Sequence, residues 1–105
     1  MSLCLLTIIS PLALEEVIVD WLLEHDNIKG FTSILVRGHG GQEENLSLSE
    51  QVTGRSDGVM FDTHIPLEYA HDILGNLKKD FAMSDIHYMI RPVIDAGNIR
   101  SYEKN

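Results

Sequence analysis

Residues 58–81, GVMFDTHIPLEYAHDILGNLKKDF, change the period of their apolar side chains once, at Pro66. Before that proline, Val59, Phe61, Thr63 and Ile65 alternate with Met60, Asp62 and His64. This is the two-residue repeat of a strand with one buried face. After it, Leu67, Ala70, Ile73, Leu74, Leu77 and Phe81 follow the helical period. Proline suits the junction because the first helical turn needs no N–H from it. Gly75 weakens this helix by about 1 kcal/mol relative to alanine, but it falls on the polar side. A strand that feeds directly into a helix is half of a larger motif, and the rest of the chain decides which.

Leu3 to Ile9 is a short, continuously apolar run bounded by Ser10 and Pro11, which predicts a strand buried on both faces. Ser10 is a candidate helix N-cap with Pro11 in the first helical position. In LALEEVIVDWLLEH, Glu16, Asp20 and Glu24 form one narrow polar stripe on an otherwise apolar helix. Its Trp21 is expected in the core or an interface, and Glu15 and Glu16 lie at the positive end of the helix dipole. Phe31 to Arg37 predicts a second strand, and DIHYMIRPVI a fourth, in which Ile86, Tyr88 and Ile90 oppose His87, Met89 and Arg91. The polar tail, 101–105, is expected to fray.

The resulting order is β-α-β-β-α-β. With right-handed crossovers it builds an α+β, ferredoxin-like plait, in which a four-stranded antiparallel sheet carries two helices on one face. One hundred and five residues support one such domain, 1–105. The face without helices would carry Met60, Asp62, His64, His87, Met89 and Arg91 beside apolar residues of the first two strands. A half-apolar open face of this kind predicts a homo-oligomer joined through its sheets.

Between the second and third strands, VRGHGGQEENLSLSEQVTGRSDG (Val36 to Gly58) has no apolar periodicity. Connections longer than about 12–15 residues are usually functional or disordered, so 38–58 is read as a mobile loop. Gly38, Gly40 and Gly41 allow positive φ and close approach of a ligand, and their amides could form an anion-binding nest. Glu43, Glu44, Glu50 and Asp57 leave the loop acidic, and its isolated leucines fit a protein-docking arm that orders on binding.

Sixteen acidic against eight basic residues give a formal charge of −8. Phosphate-tracking surfaces have the opposite sign, which argues against nucleic-acid binding and favours cations or basic proteins as partners. The lone Cys4 lies in an apolar run and reads as a small buried hydrophobe. No apolar stretch approaches the roughly 18 residues of a membrane span, and the N-terminus lacks a basic leader segment. A cytoplasmic protein without membrane insertion is the expectation.

Four segments together resemble the PII superfamily of trimeric signalling proteins. They are TIISPLALEEVIVDWLLEH, then GFTSILVRGHGGQ with Gly38, Gly40 and Gln42 in a Gly-x-Gly-x-Gln pattern, the long insertion that follows, and PVIDAGNIR. Within the superfamily the chain is most similar to a group of small PII-like proteins of unknown function, some of them associated with heavy-metal efflux. The resemblance implies a trimer through the open sheet face, and it makes residues 38–58 the counterpart of the family's T-loop. That loop would dock a partner protein, with a transporter among the candidates. It further implies a small-ligand site formed by Arg37, Gly38, Gly40, Gly41 and Gln42, with Arg100 as a phosphate contact.

The departures from the PII pattern bear on the ligand. ATP-binding PII proteins use a glycine-rich basic loop before the last strand, whereas here that connection is DFAMSD, and Asn98 replaces the first arginine of the closing pair. Each lost charge-assisted hydrogen bond costs about 1.5–3 kcal/mol, so tight ATP binding of the PII kind is not expected and a weaker or smaller ligand is. No cofactor is assigned.

Five histidines raise a second reading, a metal-binding or metal-tolerance protein. None of them has HxH, HxxxH or Cys/His spacing. His39, exposed beside Glu43 and Glu44, and His64, on the open face, are the candidate ligands for a divalent metal. No nucleophile, base and oxyanion pattern assembles from the sequence, so the chain is read as a non-enzyme.

Overall fold

A computed structural model describes residues 2–40 and 55–104 of the chain. The elements run β1 (Leu3–Pro11), a 3-10 turn (Leu12–Leu14), α1 (Glu15–Leu23), β2 (Thr32–His39), β3 (Arg55–Pro66), α2 (Leu67–Asp80), β4 (His87–Pro92) and a closing 3-10 turn (Ile99–Ser101). The sheet order is β2-β3-β1-β4, and each neighbouring pair is antiparallel. This is the ferredoxin-like plait that the alternating periods predict.

One core holds the two helices against one sheet face. Cys4, Leu6 and Ile8 of β1 alternate inward, and their β3 partners Ile65, Thr63 and Phe61 do the same. Ile18 and Leu22 of α1 and Ala70, Ile73 and Leu77 of α2 close over them. Burying each such aliphatic side chain stabilises the fold by roughly 1.5–3 kcal/mol. Ser10 and Thr63 are the buried polar residues on this side of the two central strands, and the Thr63 hydroxyl donates to the Gly30 carbonyl at 2.7 Å, tying the entry of β2 to the sheet. No buried side-chain polar atom among the described residues lacks a partner. Gly75 has open space around it, consistent with the polar side of α2.

Trp21 packs half-buried against this core and joins the two helices. Its indole N–H donates to Asp80 at 2.8 Å, and its ring meets Phe81 edge-on at 6.0 Å. His25, one turn further along, lies with its ring centroid 4.0 Å from that of Trp21.

The start of the first helix differs from expectation. Ser10 is not an N-cap, because β1 continues through Ser10 and Pro11, which pair with Val59 and Gly58. The ladder hydrogen bonds offered by the long β3 outweigh the local capping preference. The helix proper begins at Glu15 after the 3-10 turn, with no side-chain cap, and Glu15 and Glu16 occupy its first turn. Gly58 makes this register feasible, since a Cβ there would stand 2.9 Å from the Ser10 carbonyl oxygen.

Cys4 is 2% exposed, and burial pushes its thiol above the ordinary value. The thiolate is the reactive form, so the folded protein should give no reaction with a thiol-specific disulfide reagent at neutral pH. The same titration in denaturant should report one equivalent. Rapid modification without denaturant would contradict this packing.

Candidate functional site

The long connection is shorter at its base than its glycines suggest. β2 and β3 stay paired through Val36↔Gly58, Arg37↔Asp57, Gly38↔Ser56 and His39↔Arg55. Both ends of the predicted loop 38–58 therefore belong to the ladder. Gly41 and Gln42, and Glu43, Glu44 and Glu50 with them, lie outside the described residues.

Strand alternation separates the predicted site residues at this base. Arg37 and His39 share the helix side of β2, with Arg37 standing opposite Asp57, while Gly38 is on the open side opposite Ser56. Gly40 ends the described segment at φ +78°, a left-handed conformation that glycine adopts at little cost. β2 has ended one residue earlier, at His39, and Gly38, inside the ladder, does not take a positive φ.

Arg100 comes from elsewhere. β2 and β4 are the two edges of the sheet, about 14 Å apart at three strand spacings. β2 leaves the sheet beyond the end where β1 finishes, since Val36 pairs with Gly58 and Gly58 with Pro11. β4 leaves at the end where β1 begins, since Pro92 pairs with Cys4. The two segments depart from opposite corners, and the Arg100 side chain is exposed.

Asn98 has a role that the family pattern hid. Its side-chain carbonyl accepts the Arg100 backbone N–H at 2.9 Å and nucleates the Ile99–Ser101 turn. An asparagine bonding the backbone two residues on is a local signal legible in sequence. The connection between α2 and β4 folds on itself through Ser84 N–H to Phe81 O and Ile86 N–H to Ser84 O. The nearest lysines to it, Lys78 and Lys79, are in the last turn of α2.

The two candidate metal ligands do not meet in one chain. His39 pairs with Arg55, whereas His64 lies nine positions further along β3, about 30 Å at strand rise. They also occupy opposite faces. Among the described residues no group of three His, Cys, Asp or Glu side chains gathers. His87 is instead engaged by Asp85 at 3.1 Å on the exposed rim of β4.

Residues 1–100 match a family described as a protein of unknown function, DUF3240. The chain belongs to the DUF3240 family. No curated protein matches it. A DUF3240 family protein from Shewanella baltica OS155 superposes with a TM-score of 0.76 at 20% identity, over 94% of this chain and 98% of that one. CPII from Thiomonas intermedia K12, a nitrogen regulatory PII-like protein bound to ADP, AMP and bicarbonate, superposes at 0.69 with 21% identity, over 94% and 98% of the two chains. The GlnK–ATP complex of B. subtilis does so at 0.66 with 15% identity, over 97% and 91%. This DUF3240 chain thus has the fold of the PII-like proteins. Among its described residues no helix is long and apolar enough to cross a membrane.

Proposed function

We infer that this DUF3240 protein is a homo-oligomeric regulator of the PII-like kind, with no catalytic role. It binds a small anionic ligand of the adenine-nucleotide class between copies and docks a partner protein through residues 38–58. The observation that supports this reading is where the proposed ligand residues lie in the sheet. Arg37 and Gly38 end β2 at one corner of the sheet with Gly40 just beyond, and the segment that leads to Arg100 leaves from the opposite corner, so a ligand held by both sets is best served by two chains. The open sheet face supplies the means of association, because Leu5, Ile9, Ile34, Val36, Met60 and Met89 line it by strand register. The nucleotides named for CPII and for GlnK support the ligand class. The DFAMSD connection brings no glycine or lysine, which favours AMP or ADP over ATP. A closed trimer accords with the PII resemblance.

Calorimetric titration with AMP, ADP and ATP should show binding of at least one of them. That nucleotide should also slow proteolysis within 38–58 if ligand contacts order the arm. Arg100→Ala should weaken binding by about 10- to 150-fold, the equivalent of one charge-assisted hydrogen bond. No heat with any nucleotide, together with unchanged cleavage, would remove the sensing role.

A further inference from the structure

The open sheet face combines apolar residues with His64, His87 and one hydrogen-bonded polar group of three. In register, Thr7 of β1 stands between Asp62 of β3 and Met89 of β4, and the next row holds His64, Leu5 and Arg91. Thr7 is 1% exposed. Its hydroxyl has a single proton, which it donates to Asp62 Oδ1 at 2.5 Å, and its oxygen accepts from Arg91 Nη2 at 3.3 Å. The carboxylate and the guanidinium therefore share Thr7 and make no ion pair with each other. One carboxylate oxygen and most of the arginine N–H groups remain for water.

Covering this face removes that water. An ionised group left dry and unpaired is strongly unfavourable, so the occupant must bring an anion for Arg91 and a cation or donor for Asp62. A second copy of this chain brings both. The chain is also strongly acidic, at −8, so two copies approach against their net charge and need local complementarity. Arg91 is the one Arg or Lys that strand register places on this face among the described residues.

We propose that Asp62 of one copy pairs with Arg91 of the next, each held in place by Thr7, and that this pair fixes the register in which the sheet faces meet. The inference rests on the oligomeric reading above. It goes beyond that reading by assigning a partner-selecting contact to three residues outside the ligand site. The apolar side chains supply most of the area, but they would tolerate sliding by a strand or a residue. A charge pair flanked by Met60 and Met89 does not.

The test is sedimentation analysis of the full chain and its variants, with circular dichroism confirming that each is folded. Asp62→Arg and Arg91→Asp should each raise the dissociation constant of the assembly at least about thirtyfold, the usual consequence of breaking one buried charge pair. The double variant carrying both changes should return it to near the parent value, because the pair is restored in reverse. Arg91→Gln provides the milder case should a reversed charge prevent folding, and it too should weaken the assembly. Single variants that assemble as tightly as the parent, or a double variant no tighter than the singles, would overturn the pairing while leaving the oligomer intact. A parent protein that sediments as one chain would instead overturn the oligomeric reading itself.

Discussion

Phe61→Ala is expected to remove about 3–5 kcal/mol of stability, the usual cost of deleting a buried aromatic ring. Phe61 is 2% exposed and lies on β3, one of the two central strands, between Ile8 and Ser33. Its ring meets Phe31 edge-on with centroids 6.0 Å apart, a contact worth about 0.5–1.5 kcal/mol beyond area burial. Phe61 belongs to the buried cluster beneath the two helices, so its deletion leaves a cavity that the neighbouring side chains fill only in part. A domain of this size has roughly 5–15 kcal/mol in total, and the variant should unfold at a much lower urea concentration. Met60→Ala, one residue away on the open face, should cost clearly less in the dissociated chain. Because the proposed association would add a concentration-dependent contribution, both are compared at one protein concentration. A loss below about 1 kcal/mol for Phe61→Ala would show that this side chain is not a core element.

Ile34→Glu and Met89→Glu are expected to do the reverse, sparing the fold and abolishing the sheet-to-sheet association proposed above. Each side chain is 47% exposed in the single chain, where a surface change typically stays within about 0.5 kcal/mol. Both lie on the open face, Ile34 at the β2 edge opposite Met60 and Met89 at the β4 edge opposite Thr7. A carboxylate introduced there would be buried without a partner on association, at a cost of several kcal/mol per contact. Sedimentation velocity should report the mass of one chain, with a helical and strand signal unchanged from the parent. A full-sized assembly from both variants would mean that the sheets do not meet through this face.

Much of this molecule is legible in its sequence because periodicity reports which side chains must be dry. The alternation Val59, Phe61, Thr63, Ile65 corresponds to the buried face of β3, and Ala70, Ile73 and Leu77 to the buried stripe of α2. Of the glycines expected to take positive φ, Gly40 does so just past the end of β2, where few other residues tolerate that conformation. The base of the site was harder to read. Nothing local distinguishes Gly38 and Ser56 in a ladder from the same residues in a loop, since their pairing depends on strands far apart in sequence. Ser10 failed as a cap for the same reason, and Asn98, which stands where the PII pattern has an arginine, also caps its own turn.

The sequence by itself determined the order of strands and helices and the sides each buries, since both follow from short-range spacing and the exclusion of apolar surface from water. It also determined the acidity of the chain and the family to which it belongs. Only the tertiary structure decided that Thr7, Asp62 and Arg91 form one cluster, that Arg37 and the segment leading to Arg100 lie at opposite corners, and that His39 and His64 lie far apart on opposite faces of one chain. These are matters of strand register and sheet order. Register is set by the packing of the whole sheet against its helices, which no window of neighbouring residues contains.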